Sequence, residues 1–194
     1  MTLAAPIGIF GGTFDPIHLG HIQIATSLLS ECQLKEIVFV PSHTPPHRQQ
    51  PKASAQDRLN MVRLATESFP HFSVNDFEIQ QSSISYSIDT IIHLRKQHPN
   101  TPLCLLLGED VFAKLNTWHR WEEILNLTHI VSITRKGAEF PKSDWMESLL
   151  KKKQVKSPEE LHKILYGQIH VQPKSASSLS ATEVRKNLQH QKHV

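Results

Sequence analysis

Short apolar runs alternate with stretches of helical periodicity along the chain. Residues 7–10 (IGIF) and 37–40 (IVFV) have strand length, and between them Ile22, Ala25, Leu28 and Leu29 recur at the spacing of one helix face. Strand, helix and strand over that distance predict a βαβ unit with parallel strands. Further on, 57–68 reads as a helix with Met61, Val62 and Ala65 inward, 72–75 as a weaker strand and 88–96 as a helix. The run 102–107 (PLCLLL) is the most hydrophobic and reads as a central strand buried on both faces. The pattern then predicts a helix over 116–125 with Trp118 and Trp121 on one side, a strand over 129–134 and an amphipathic helix around 145–153. After a break at Ser157-Pro158 come a short strand over 169–171 and a helix opening at Ser180, with Glu183 at the capping-box position. The alternation predicts an α/β fold with a mostly parallel central sheet flanked by helices.

Composition narrows the class. At 194 residues the chain is expected to form one well-buried domain over 1–194. With 21 basic and 18 acidic residues the net charge is only +3, and the longest charge run, Lys151-Lys152-Lys153, reads as a solvated helix end. No nucleic-acid footprint is expected. Cys32 and Cys104 form no C-x-x-C pair, which argues against a zinc knuckle or a disulfide framework and for a reducing, cytoplasmic setting. The opening MTLAAPIG lacks a basic leader and a long apolar core, and no run is long enough to span a bilayer, so a soluble protein away from membranes is expected.

The candidate chemistry starts at 7–22, IGIFGGTFDPIHLGHI. A strand, a Gly11-Gly12 turn and a helix N-terminus present unpaired N–H groups and a positive dipole end, a site for phosphate, with His18 and His21 on one face of the first turn. The proline-rich loop 41–52 leaves the same strand edge, so His43, His47 and Arg48 either face that cleft or are merely solvated. The hydroxyl run 82–87 (SSISYS) either caps the following helix or binds an anionic ligand group. Glu109 and Asp110 at a strand end are equally a helix N-terminus preference or a catalytic pair. Trp118 and Trp121 are either packing or a stacking face. Arg135 clamps a phosphate or pairs with a carboxylate. The hydroxyl-rich helix start 180–185, with Arg185 one turn in, repeats the anion-binding logic of the opening stretch.

Taken in order, GGTFDPIHLGH, PPHR, SYS, GED, WHRW, TRKG and SATEVR resemble the bacterial nicotinate-nucleotide adenylyltransferases. These are nucleotidyltransferases whose H-x-G-H motif, here His18-Leu19-Gly20-His21, is shared in looser form with class I aminoacyl-tRNA synthetases. The likeness covers nearly the whole chain. It implies a Rossmann-like doubly wound domain and transfer of AMP from ATP to nicotinate mononucleotide, with Mg2+ carried by the ATP phosphates. It further implies that His18 and His21, with Arg185, act on the phosphates, and that Gly11, Gly12, Thr13, Phe14, Asp110, Ser180 and Thr182 serve the ATP site. His47 and Arg48 match the family's P-P-H-K/R loop, and Ser85, Tyr86, Ser87, Trp118 and His119 its nicotinate pocket, with Trp118 as stacking face; Arg135 matches a phosphate-site position. Two departures are S-Y-S for the usual S-Y-T and S-A-T for S-S-T, and the chain stops at Val194 without the aromatic tail common in relatives. Monomer and homodimer are both compatible with the sequence.

The residues also weigh the rival readings. Trp118 with the S-Y-S loop favours a flat aromatic acceptor over phosphopantetheine. A nucleotide sensor on the same fold would bind ATP without releasing pyrophosphate. No lysine-rich K-M-S-K-S-like loop appears, which argues against a tRNA synthetase fragment. Zinc ligation by His18 and His21 would need partners that their spacing does not supply.

Overall fold

The structure, a computed structural model, describes residues 3–43, 50–81, 86–134 and 143–173. It opens with β1 (Ile7–Gly12), α1 (Leu19–Glu31), β2 (Glu36–Pro41), α2 (Ala55–Thr66) and β3 (Phe72–Val74). A single turn α3 (Phe77–Gln80) leads to α4 (Ser87–Gln97), β4 (Leu103–Gly108) and the short α5 (Glu109–Phe112). After a 3-10 turn at Leu115–Thr117 come α6 (Trp121–Ile124), β5 (His129–Thr134), α7 (Asp144–Lys153) and β6 (Gln154–Val155). A 3-10 helix at Pro158–His162 precedes β7 (Ile169–Pro173).

The described strands form one sheet in the order β3-β2-β1-β4-β5-β7-β6. Every pairing is parallel, so the mostly parallel expectation sharpens to an all-parallel sheet over the described residues. Alternation along the strands sorts the apolar side chains onto two faces. Ile7, Ile9, Leu103, Leu105 and Leu107 meet Ile88, Ile91 and Leu94 of α4, Phe112 of α5 and Met146 of α7. Phe10, Ile37, Phe39, Cys104 and Leu106 meet Ile22, Ala25 and Leu28 of α1 and Val62 of α2. Two cores on opposite faces of one parallel sheet make the doubly wound, Rossmann-like arrangement. Each fully buried Leu or Ile contributes about 1.5–3 kcal/mol, so these two cores carry the fold.

Most elements fall where periodicity put them, and β5 does so to the residue. The helix expected over 116–125 does not form. Trp118 leaves the 3-10 turn with extended backbone (φ −78°, ψ 147°), and Arg120 is left-handed at φ 53° before α6 begins. Both tryptophans instead pack against the α4-side core from separate backbone segments, Trp121 edge-on to Trp145 with ring centroids 5.7 Å apart. Burying two large rings outweighs the continuity of a short helix, a tertiary preference that i, i+3 spacing cannot reveal.

Candidate active site

The chain runs outward from β1 through β2 to β3 and returns to β4 on the other side of β1. A reversal of strand order opens a crevice outside the carboxyl ends of the two central strands, the usual ligand position in an open α/β sheet. Here those ends are Gly11-Gly12 and Gly108. A Cβ on Gly12 would lie 2.9 Å from the Phe14 ring. Glycine there lets Phe14, at φ 49°, fold beneath the turn. Phe14 is only 3% exposed and packs edge-on to Phe10, with centroids 5.9 Å apart. So Gly11, Gly12 and Thr13 lie at the carboxyl end of β1, with the Phe14 ring packed beneath them on the hydrophobic side.

His18 is the N-cap of α1, with extended backbone, and His21 lies in its first turn. The two imidazoles stack with centroids 3.7 Å apart and an interplanar angle of 26°. The His18 backbone N–H donates to His21 Nδ1 at 3.2 Å. That bond fixes the tautomer: neutral His21 carries its proton on Nε2. Half-burial, edge-on against Phe14 at 5.1 Å, and then the His18 charge push the His21 pKa down to about 4. Gly20 explains the H-x-G-H spacing, because a Cβ there would lie 3.0 Å from His18 Cε1 and Nδ1. The first-turn N–H groups, the helix dipole and an Nε2–H donor together favour a polyanion at this end of α1.

Beside the histidines a cavity of about 310 Å³ is lined by His18, Gly20, His21, Ile24, Leu28 and, across the sheet edge, Ile133 and Gln172. Its apolar walls and polar end suit a nucleoside-sized group. At that end Gln172 Nε2 donates to Glu31 Oε2 at 2.7 Å, and Gln172 Oε1 lies 2.9 Å from His170 Nε2. A wider depression of about 530 Å³ over Arg63, Leu64 and Phe72 lies at the β3 edge, away from the histidines.

A second group gathers from other elements. Tyr86, the N-cap of α4, and His119 meet with ring centroids 4.5 Å apart, and Trp118 is half-buried beside them in sequence. Ser87 is the first helical residue of α4, so the cap position belongs to Tyr86 and not to Ser87. Asp110 is exposed and Glu109 buried, both in the first turn of α5 directly after β4. His47, Arg48, Ser85, Arg135, Ser180, Thr182 and Arg185 lie outside the described residues.

Sequence reasoning passed over Arg58 and Asp15. Arg58 is 1% exposed within the inward face of α2 beside Leu59 and Val62, and donates from Nη1 to the Thr13 carbonyl at 2.5 Å and from Nη2 to the His43 carbonyl at 2.9 Å. Asp15 accepts from the Lys52 and Ala53 backbone N–H groups at 2.6 and 3.1 Å, bonds that lower its pKa. The available signal was an arginine one helical turn before Val62, on the face that must be apolar.

Among the described residues no group of three or more His, Cys, Asp or Glu side chains could hold a metal ion, and no helix is long and apolar enough to cross a membrane. The cytidylyltransferase-like family model matches residues 9–187. A protein of Aeromonas hydrophila named "probable nicotinate-nucleotide adenylyltransferase" is 41% identical over 94% of this chain and 86% of its own length. One of the same name from Pseudomonas syringae is 42% identical over 100% of this chain and 87% of its own length. Among solved structures, the Plasmodium falciparum nicotinic acid mononucleotide adenylyltransferase complexed with NaAD superposes with a TM-score of 0.67 at 21% identity, covering 94% of this chain and 83% of that one.

Proposed function

We infer the activity from one premise: the chain belongs to the cytidylyltransferase-like family, among the nicotinate-nucleotide adenylyltransferases. It is an enzyme that transfers AMP from ATP to nicotinate mononucleotide, giving nicotinate adenine dinucleotide and pyrophosphate. The observation that carries this reading is the stacked His18–His21 pair at the N-terminus of α1, set at the switch point of the sheet.

The second pKa of a phosphate monoester lies near ~6, so the attacking phosphate is already ionised at neutral pH and needs no general base. One P–O bond forms to the ATP α-phosphorus as its bond to the β-phosphate oxygen breaks, and pyrophosphate leaves. The protein's work is then to align two polyanions and to stabilise the developing charge. His21 supplies an Nε2–H donor whose neutral state is set by burial and by His18. An arriving triphosphate raises the proton affinity of His21, so charge on the phosphates and charge on that imidazole grow together. The rim at Gly11, Gly12 and Thr13, with Asp110, serves the nucleotide, and the cavity beside α1 takes its nucleoside half. Tyr86, Ser87, Trp118 and His119 hold the pyridine ring, and Ser85 and the nearby N–H groups read its carboxylate. Ser180, Thr182, Arg185, His47, Arg48 and Arg135 complete the phosphate contacts. The phosphates of ATP would carry a magnesium ion, which would supply charge neutralisation there. The chain acts as one domain, in the cytoplasm, consistent with two buried free cysteines.

Pyrophosphate release measured with ATP and a panel of mononucleotides tests this. Turnover is expected with nicotinate mononucleotide and much less with its amide counterpart. ATP binding without release for any acceptor would make the chain a sensor, and equal use of acid and amide would remove the carboxylate site.

A further inference from the structure

We propose that Arg58 is a positioning residue for adenylyl transfer: it ties the Thr13 carbonyl of the catalytic turn to the His43 carbonyl beyond β2, and so fixes the direction of the turn's N–H groups. This rests on the reading of the site given above. The guanidinium is buried and its two Nη atoms are both committed, one to each loop. Its Nε has no hydrogen-bond partner among the described residues. A buried cation with an unmet donor is costly, and structure alone does not call for it on the apolar face of α2. An aliphatic residue at that position would fill the same face of the helix.

What the arginine does is geometric. Thr13 is the residue between the Gly11-Gly12 rim and the left-handed Phe14, a point where the chain must reverse. Holding its carbonyl into the protein aims the opposite side of that peptide plane, an N–H, toward the crevice. The fork geometry of a guanidinium lets one group bridge two carbonyls, which a lysine ammonium on a flexible stem does poorly. Asp15 ties the same turn to Lys52 and Ala53 through two more backbone bonds. The turn is thus fastened on both sides of Phe14, once by a cation to carbonyls and once by an anion to N–H groups.

The test compares the wild type with Arg58→Lys and Asp15→Asn, using steady-state kinetics with ATP and nicotinate mononucleotide, thermal unfolding, and hydrogen exchange of the peptide covering 11–17. For Arg58→Lys, kcat per folded molecule is expected to fall on the order of 10²-fold, the effect of a misplacement of about 1 Å, with KM for ATP changed far less. Exchange over 11–17 is expected to quicken while that of β4 stays as in the wild type. Asp15 is exposed, so Asp15→Asn folds even if Arg58→Lys does not, and a drop of roughly 3–10-fold in kcat is expected from its weaker acceptors. Wild-type kcat in both variants with only a lowered Tm overturns the proposal, leaving Arg58 a fold stabiliser. A wild-type protein that releases no pyrophosphate sinks the activity itself. In that case exchange decides the remainder: quickening confined to 11–17 supports the tether, and unchanged exchange refutes it.

Discussion

His21 lies beyond the carboxyl end of β1 and His129 at the amino end of β5, both interior strands of one parallel sheet, and burial holds both imidazoles at a pKa of about 4. Their hydrogen bonds separate them. His129, at the start of β5, donates from Nε2 to the Ile164 carbonyl at 3.0 Å and accepts the Gln168 N–H on Nδ1 at 3.1 Å. Both ring nitrogens are used, and the ring staples β5 to the segment before β7. His21, beyond the end of β1, spends Nδ1 on the His18 backbone N–H and lines the cavity beside α1. A depressed pKa therefore does not by itself mark a functional histidine. Position at a strand's carboxyl end and beside a cavity is the further feature that His21 has and His129 lacks.

The sharpest way to break this comparison is to remove each ring. His21→Ala is expected to lower kcat about 10²–10³-fold, the range for losing one donor to a transition-state charge, with unfolding little changed. A raised KM for ATP with turnover intact would reduce His21 to a binding group and dissolve the contrast.

Next in size is the pH dependence of stability. The unfolded chain protonates its histidines near 6.5, whereas folded His129 resists until about 4, so the unfolded state binds more protons between those values. Stability is accordingly full above about pH 6.5 and falls on acidification toward pH 4, by about 3 kcal/mol from His129. Half-exposed His21 adds a smaller share in the same direction. Urea unfolding at pH 7.5, 5.5 and 4.5 reads the slope, and a His129→Phe variant should flatten it.

His129→Ala leaves a void and two unmet backbone groups, and a loss of about 2–3 kcal/mol is expected in the same urea assay. Turnover per folded molecule should match the wild type; a large fall in kcat would place His129 in the reaction. The smallest effect belongs to Gly20→Ala. Alanine favours a helix by about 1 kcal/mol over glycine, so Tm should hold or rise. The new Cβ nevertheless meets the His18 ring at 3.0 Å, and a fall of roughly 10-fold in kcat is expected from that displacement. Unchanged kinetics would mean that the His18–His21 stack is incidental.

Much of this was legible in the chain. The apolar runs at β1, β2, β4 and β5 and the inward faces of α1, α2 and α4 follow from local periodicity, because burial against a sheet acts on each element separately. The very short α3, α5 and β6 were not visible, since two to four residues carry no period. Trp118 and Trp121 misled for the opposite reason: their spacing fits a helix, yet two rings seeking one core broke it at Arg120. Arg58 stayed hidden because a lone arginine in a helix reads as solvated until its partners, Thr13 and His43, are brought to it.

The order of motifs, the glycines of the turn and the pair of histidines were set by the sequence alone, since each depends on neighbours within one turn of chain. Tertiary structure decided that Phe14 goes under the turn, that Tyr86 meets His119, and that the helix following β2 anchors the turn after β1. The last two contacts join residues dozens of positions apart, and only the folded sheet, by choosing its strand order, brings them within bonding distance.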